Sequence, residues 1–126
     1  MLKITPIKQI KYAYCGPATA QVILAFWGIE ENQKKLGKLC KTTFEKGTSR
    51  ENLIKCLSGF GLKTKENVQG DWSELNILVN KKKIPVIVGW FFDDDGHYSI
   101  VFKLTKKFIW LTESCEGEIL KMSWEK

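Results

Sequence analysis

The hydrophobic period changes once along this chain, near Ile84, and that change sets the class of fold. Before it, apolar residues recur at helical spacing; after it, β-branched and aromatic residues fill short runs separated by turn residues. The clearest helix starts at Tyr14-Cys15-Gly16-Pro17-Ala18 and ends at Gly28. Val22, Ile23, Phe26 and Trp27 fall on one face, Pro17 suits a first turn, and Gly28 stands where a C-terminal cap would. From Glu30 to Cys40 the spacing predicts a second, short helix with Leu36 and Leu39 inward. Thr48 or Ser49 caps a third, with Glu51 in the capping-box position relative to Thr48 and Leu53, Ile54 and Leu57 as its apolar face. Gly59-Phe60-Gly61 ends it. Asp71 caps a fourth helix through Leu75, Leu78 and Val79 to Lys81-Lys82-Lys83, whose charge suits a helix C-terminus.

The strands follow: Ile84 to Phe92, then Tyr98 to Leu104, Phe108 to Thr112, and Glu118 to Trp124. The first two are joined by a turn at Asp93-Asp94-Asp95-Gly96. Helices first and an antiparallel meander second make an α+β fold. With 126 residues and no internal repeat or linker, a single domain over 1–126 is expected.

Composition removes several classes of function. A hydrophobic fraction of 44% supplies a core, so disorder is excluded. The longest apolar run, from Ile84 to Phe92, is too short to cross a membrane, and no signal-peptide pattern follows Met1, which points to the cytoplasm. The net charge is +6, but the cations are lysines spread along the chain, Arg50 being the only arginine; a solvated surface is expected and no nucleic-acid partner. The four cysteines show no C-x-x-C pair and there is one histidine, so spacing argues for free thiols and against a zinc site or any cofactor.

Cys15 sits at the tip of the first helix, beside backbone N–H groups without intrahelical partners, where a thiolate is stabilised. A small apolar residue at a buried helix start is the plainer reading of the same position. A nucleophilic cysteine needs a base, and His97, at the head of the second strand, is the only imidazole. Glu113 lies at the far end of the next strand, where a hairpin could set it beside His97 and orient the ring. The Cys15 N–H and the Gln9 side-chain amide are candidate donors to an oxyanion.

These residues, in this order, resemble a known family. Gln9, Cys15-Gly16-Pro17-Ala18, Gly47-Thr48-Ser49, Gly59-Phe60-Gly61-Leu62, Ile84-Pro85-Val86-Ile87-Val88 and Gly96-His97-Tyr98-Ser99-Ile100-Val101 follow the pattern of the bacteriocin-processing, double-glycine cysteine peptidases and their stand-alone relatives. The resemblance covers nearly the whole chain. It implies a papain-like fold, Cys15 as nucleophile, His97 as base and then acid, Gln9 in the oxyanion hole, and a peptide or protein substrate. The family usually carries Asp-Pro as its third element; this chain has Glu113-Ser114.

The expected activity is hydrolysis of a peptide bond through a thioester on Cys15. An acyltransferase using the same thioester and a peptide-binding module that does not cut are the alternatives. Two further features bear on substrate. Asp93, Asp94 and Asp95 could favour a basic peptide or simply form an acidic turn, and Trp90, Phe91 and Tyr98 could line a cleft or fill the core.

Overall fold

The computed structural model describes residues 3–11, 13–64, 72–92 and 95–123. Asp71, Asp93, Asp94 and Trp124 lie outside the described residues, as do the side chains of Trp90, Phe91 and Asp95.

Helix α1 spans Cys15–Phe26, with Pro17 in its first turn and Gly28 just beyond its end at φ +84°. It is buried almost all round its N-terminal half, from Gly16 to Ala20, so it is a central helix rather than a surface one with an apolar stripe. Trp27 is therefore not part of a buried face: it lies past the last turn, 51% exposed, edge-on to Phe26. Helix α2, Gln33–Leu39, is shorter than its sequence suggests because Asn32 caps it, its side chain accepting from the Lys34 and Lys35 N–H groups. Leu36 is fully buried but Leu39 is 48% exposed, since the helix ends as it turns away from α1.

Helix α3, Arg50–Gly59, is capped by Ser49, whose Oγ accepts from the Asn52 N–H. Thr48 is not the cap; its hydroxyl is turned inward to the Thr42 hydroxyl. Leu53, Cys56 and Leu57 face the core and Ile54 lies half-buried. Helix α4, Trp72–Asn76, passes into a π-helical turn, Ile77–Lys81. The wider turn drops Val79 to 2% exposure and lets Asn80 donate to the Leu104 carbonyl, which ties the segment to the sheet.

The sheet has four antiparallel strands in the order β1 (Val86–Phe92), β2 (Asp95–Leu104), β3 (Phe108–Glu113) and β4 (Glu118–Ser123). Strand β2 begins earlier than expected. His97 is inside it, paired with Trp90, because the β1–β2 ladder runs up to Phe92 and Asp95. Both faces are covered. On one, Ile87, Tyr98, Ile100 and Phe102 pack with Leu24, Leu36 and Leu57 of the first three helices. On the other, Val88, Val101 and Leu111 pack with Trp72, Leu75 and Val79. A register shift between Val101 and Lys103 accommodates the change of face along β2. Among the described residues, no helix is long and apolar enough to cross a membrane.

Candidate active site

Four of the sequence-predicted positions converge where the N-terminus of α1 meets the sheet. The first turn of α1 contains no acidic residue, and Tyr14, its N-cap, makes no side-chain capping bond. The free N–H groups of that turn lie near the Cys15 sulfur, and those of Cys15 and Gly16 favour its thiolate. The chain enters this turn through Ala13 in the left-handed region, φ 71°, an unfavourable conformation for a residue with a Cβ. Gly16 is required by packing: a Cβ there would lie 2.6 Å from the Thr48 Cβ.

Strand β2 supplies the facing wall. The Tyr98 hydroxyl donates to the Thr48 carbonyl at 2.9 Å and the Tyr98 backbone carbonyl accepts from the Thr19 hydroxyl at 3.4 Å, so the residue joins sheet and helices beside the site. Its backbone N–H also favours the Cys15 thiolate. Cys15 therefore rests against the residue that follows His97. His97 Nε2 stands 3.3 Å from Glu113 Oε1. The Glu113 carboxylate folds back over the β3–β4 turn to accept from the N–H groups of Cys115, at 2.9 Å, and Glu116, at 3.0 Å. That fold-back takes up the extra methylene of Glu relative to Asp.

The electrostatics correct one expectation. Burial pushes the Cys15 thiol above its ordinary value and outweighs the three backbone donors, and the Glu113 charge pushes the same way. The helix terminus alone does not ionise this cysteine. Burial also acts to raise Glu113, but the N–H groups of Cys115 and Glu116, the Cys115 thiol and His97 prevail and hold its carboxyl below the usual range. Burial thus opposes ionisation of the Cys15 thiol, while the Glu113 carboxylate that faces His97 is favoured in its charged form.

Gln9 is held by its neighbours. Its N–H donates to the Ser114 carbonyl at 2.7 Å, its Oε1 accepts from the Ser114 hydroxyl at 2.7 Å, and its Nε2 donates to the Lys11 carbonyl at 3.1 Å. One amide hydrogen remains for another acceptor. A proline at 114 would lack this hydroxyl, so the Glu-Ser departure from Asp-Pro brings its own contact. Two residues of the site were missed by sequence reasoning. Gln33, only 5% exposed, accepts from the Ile10 N–H and donates to the Lys8 carbonyl and to Gln21, clamping the backbone on both sides of Gln9. Cys115 lies beside His97 and Glu113, their ligand atoms all within 4.8 Å of one another. Nothing in a lone Gln or a lone Cys marks such a place; the signal lies in long-range pairing.

A model of the peptidase C39 family matches residues 3–126. No curated protein matches the sequence. Among solved structures, the fold is similar to the peptidase domain of Streptococcus ComA, a bi-functional ABC transporter involved in a quorum sensing pathway. The TM-score is 0.80 at 21% identity, over 96% of this chain and 87% of that one. It is also similar to a double glycine motif protease from an AMS/PCAT transporter, solved in complex with a leader peptide. There the TM-score is 0.76 at 19% identity, over 98% of this chain and 82% of that one. The papain-like fold expected from the sequence is the fold found.

Proposed function

Because this chain belongs to the peptidase C39 family, we propose that it is a cysteine peptidase that cleaves a peptide bond through a thioester on Cys15. The reading is supported by Cys15 at the tip of α1, near the Tyr98 N–H, and by the 3.3 Å pair that Glu113 makes with His97, the residue before Tyr98.

A thiol raised by burial attacks slowly unless its proton is taken as the sulfur bonds to carbon, so His97 acts as general base. Glu113 stabilises the imidazolium that forms and holds the ring. The same negative charge disfavours a thiolate before substrate arrives, which ties ionisation of Cys15 to transfer of its proton onto His97. The tetrahedral oxyanion takes the Cys15 N–H and the remaining hydrogen of the Gln9 amide as donors. His97 then protonates the leaving amine, the thioester forms, and water activated by His97 releases the acid. In this scheme Glu113 works through His97.

A peptide substrate fits the family and the leader peptide bound by the AMS/PCAT relative. Residues 1–126 are read as one peptidase unit, and four free cysteines suit the reducing cytoplasm. The test is hydrolysis of a peptide panel with mass spectrometry of the quenched enzyme. An acyl adduct on Cys15 and a loss of kcat of about 10²–10⁴-fold in His97→Ala are expected. Adducts elsewhere, or unchanged turnover in Cys15→Ala, would overturn the assignment.

A further inference from the structure

The β3–β4 turn places a third kind of donor against the His97–Glu113 pair. His97 comes from β2, Glu113 from the end of β3, and Cys115 from the turn that follows. The Val101↔Leu111 register accounts for the meeting. It brings the end of β3, and with it the turn that carries Cys115, alongside the start of β2 that carries His97. The three ligand atoms, one nitrogen, one carboxylate oxygen and one sulfur, lie within 4.8 Å of one another, and no other such group of three occurs among the described residues.

We propose that His97, Glu113 and Cys115 bind a thiophilic divalent cation, zinc in particular, and that the bound ion shuts off the peptidase site. The inhibitory half rests on the peptidase reading above; the binding half does not.

The donor set is mixed nitrogen, oxygen and sulfur, which suits zinc and disfavours magnesium or calcium. In a tetrahedral zinc site with bonds of about 2.1 Å, nitrogen and oxygen ligands stand about 3.4 Å apart. His97 Nε2 and Glu113 Oε1 already stand 3.3 Å apart. Bringing the sulfur in requires a shift of about 1 Å by an exposed side chain on a turn, to reach a zinc–sulfur bond of about 2.3 Å. Glu113 is pre-oriented by the N–H groups of Cys115 and Glu116, the kind of outer support that metal-binding carboxylates use. The Cys115 thiol is pushed up to about 11, by burial first and then by Glu113 and the other nearby negative groups. A cation among those groups reverses that field. On binding, the Cys115 S–H bond breaks, its proton passes to solvent, a sulfur–zinc bond forms, and zinc gives up five of its six waters as three protein ligands close a tetrahedral site. A fourth position stays with water. The His97 lone pair is then held by the metal and cannot accept the Cys15 proton.

The experiment is titration of the reduced chain with zinc by calorimetry and with cobalt(II) by absorption, in wild type, Cys15→Ser and Cys115→Ser, each checked for folding by circular dichroism. One ion per chain and a thiolate-to-cobalt charge-transfer band are expected in wild type and in Cys15→Ser. Cys115→Ser should lose the band and weaken zinc binding on the order of 100-fold. A band that survives in Cys115→Ser and disappears in Cys15→Ser would place the metal on the nucleophile and overturn the proposal, as would no saturable binding in wild type. These readouts hold whether or not any peptide is cleaved. In the activity arm, each protein is compared with its own metal-free rate: zinc should inhibit wild type strongly and Cys115→Ser far less. Equal inhibition of the two would remove the regulatory half.

Discussion

At the scale of single residues, the site depends on small groups in fixed places. Gly16 has no room for a Cβ against Thr48, so Gly16→Ala should cost about 1–3 kcal/mol of stability, read from urea unfolding. A wild-type midpoint would mean that Thr48 yields without penalty. Ser114 acts differently. Its hydroxyl fixes the Gln9 carbonyl oxygen and so decides which way the amide hydrogens point. Ser114→Ala should fold normally and lower kcat by about 10-fold, a fraction of the 10²–10³ typical of losing an oxyanion donor outright. Unchanged turnover would separate Gln9 from the chemistry. Cys15 and His97 could be singled out in the sequence, Cys15 by its place at the start of the first helix and His97 as the one histidine of the chain. Ser114 and Cys115 could not, since Ser114 acts on Gln9, 105 residues earlier, and Cys115 meets His97 only through the packing of β2 against the end of β3.

At the scale of elements, the lead-in segment and α2 form one unit. Residues 8–10 have no regular structure of their own, and Gln33 supplies backbone partners on both sides of Gln9. The first residue of α2 thus does for this loop what a neighbouring strand would do. Gln33→Leu keeps the volume but leaves the Lys8 carbonyl and Ile10 N–H without these bonds, at a cost of about 1–3 kcal/mol. Hydrogen exchange should show faster opening at residues 8–10 while α1 stays protected; unchanged exchange there would deny Gln33 its clamping role. The sequence indicated α2 but not its start, because Asn32 as a cap competes with several polar neighbours. It also predicted Leu39 inward, whereas the helix stops before that side chain finds a partner.

For the molecule as a whole, the sheet is the partition between two apolar layers, with α1 to α3 on one face and α4 with its π turn on the other. Leu24→Ala on the first face and Leu111→Ala on the second should each cost about 2–5 kcal/mol. If 1–126 behaves as one unit, near- and far-ultraviolet circular dichroism will lose signal at the same denaturant concentration in both variants; separate midpoints would divide it. By itself the sequence determined the α+β class, the order of helices and strands, a cysteine at a helix tip and the likeness of the chain to the double-glycine peptidases. Each of these rests on local spacing, the periods of 3.6 and 2 and the chemistry of caps and turns, which a linear chain displays directly. Only the tertiary structure decided that burial opposes ionisation of the Cys15 thiol, that Glu113 at the end of β3 reaches His97, and that Cys115 joins them. Those outcomes depend on desolvation and on strand register, and both come into existence only when distant segments pack together.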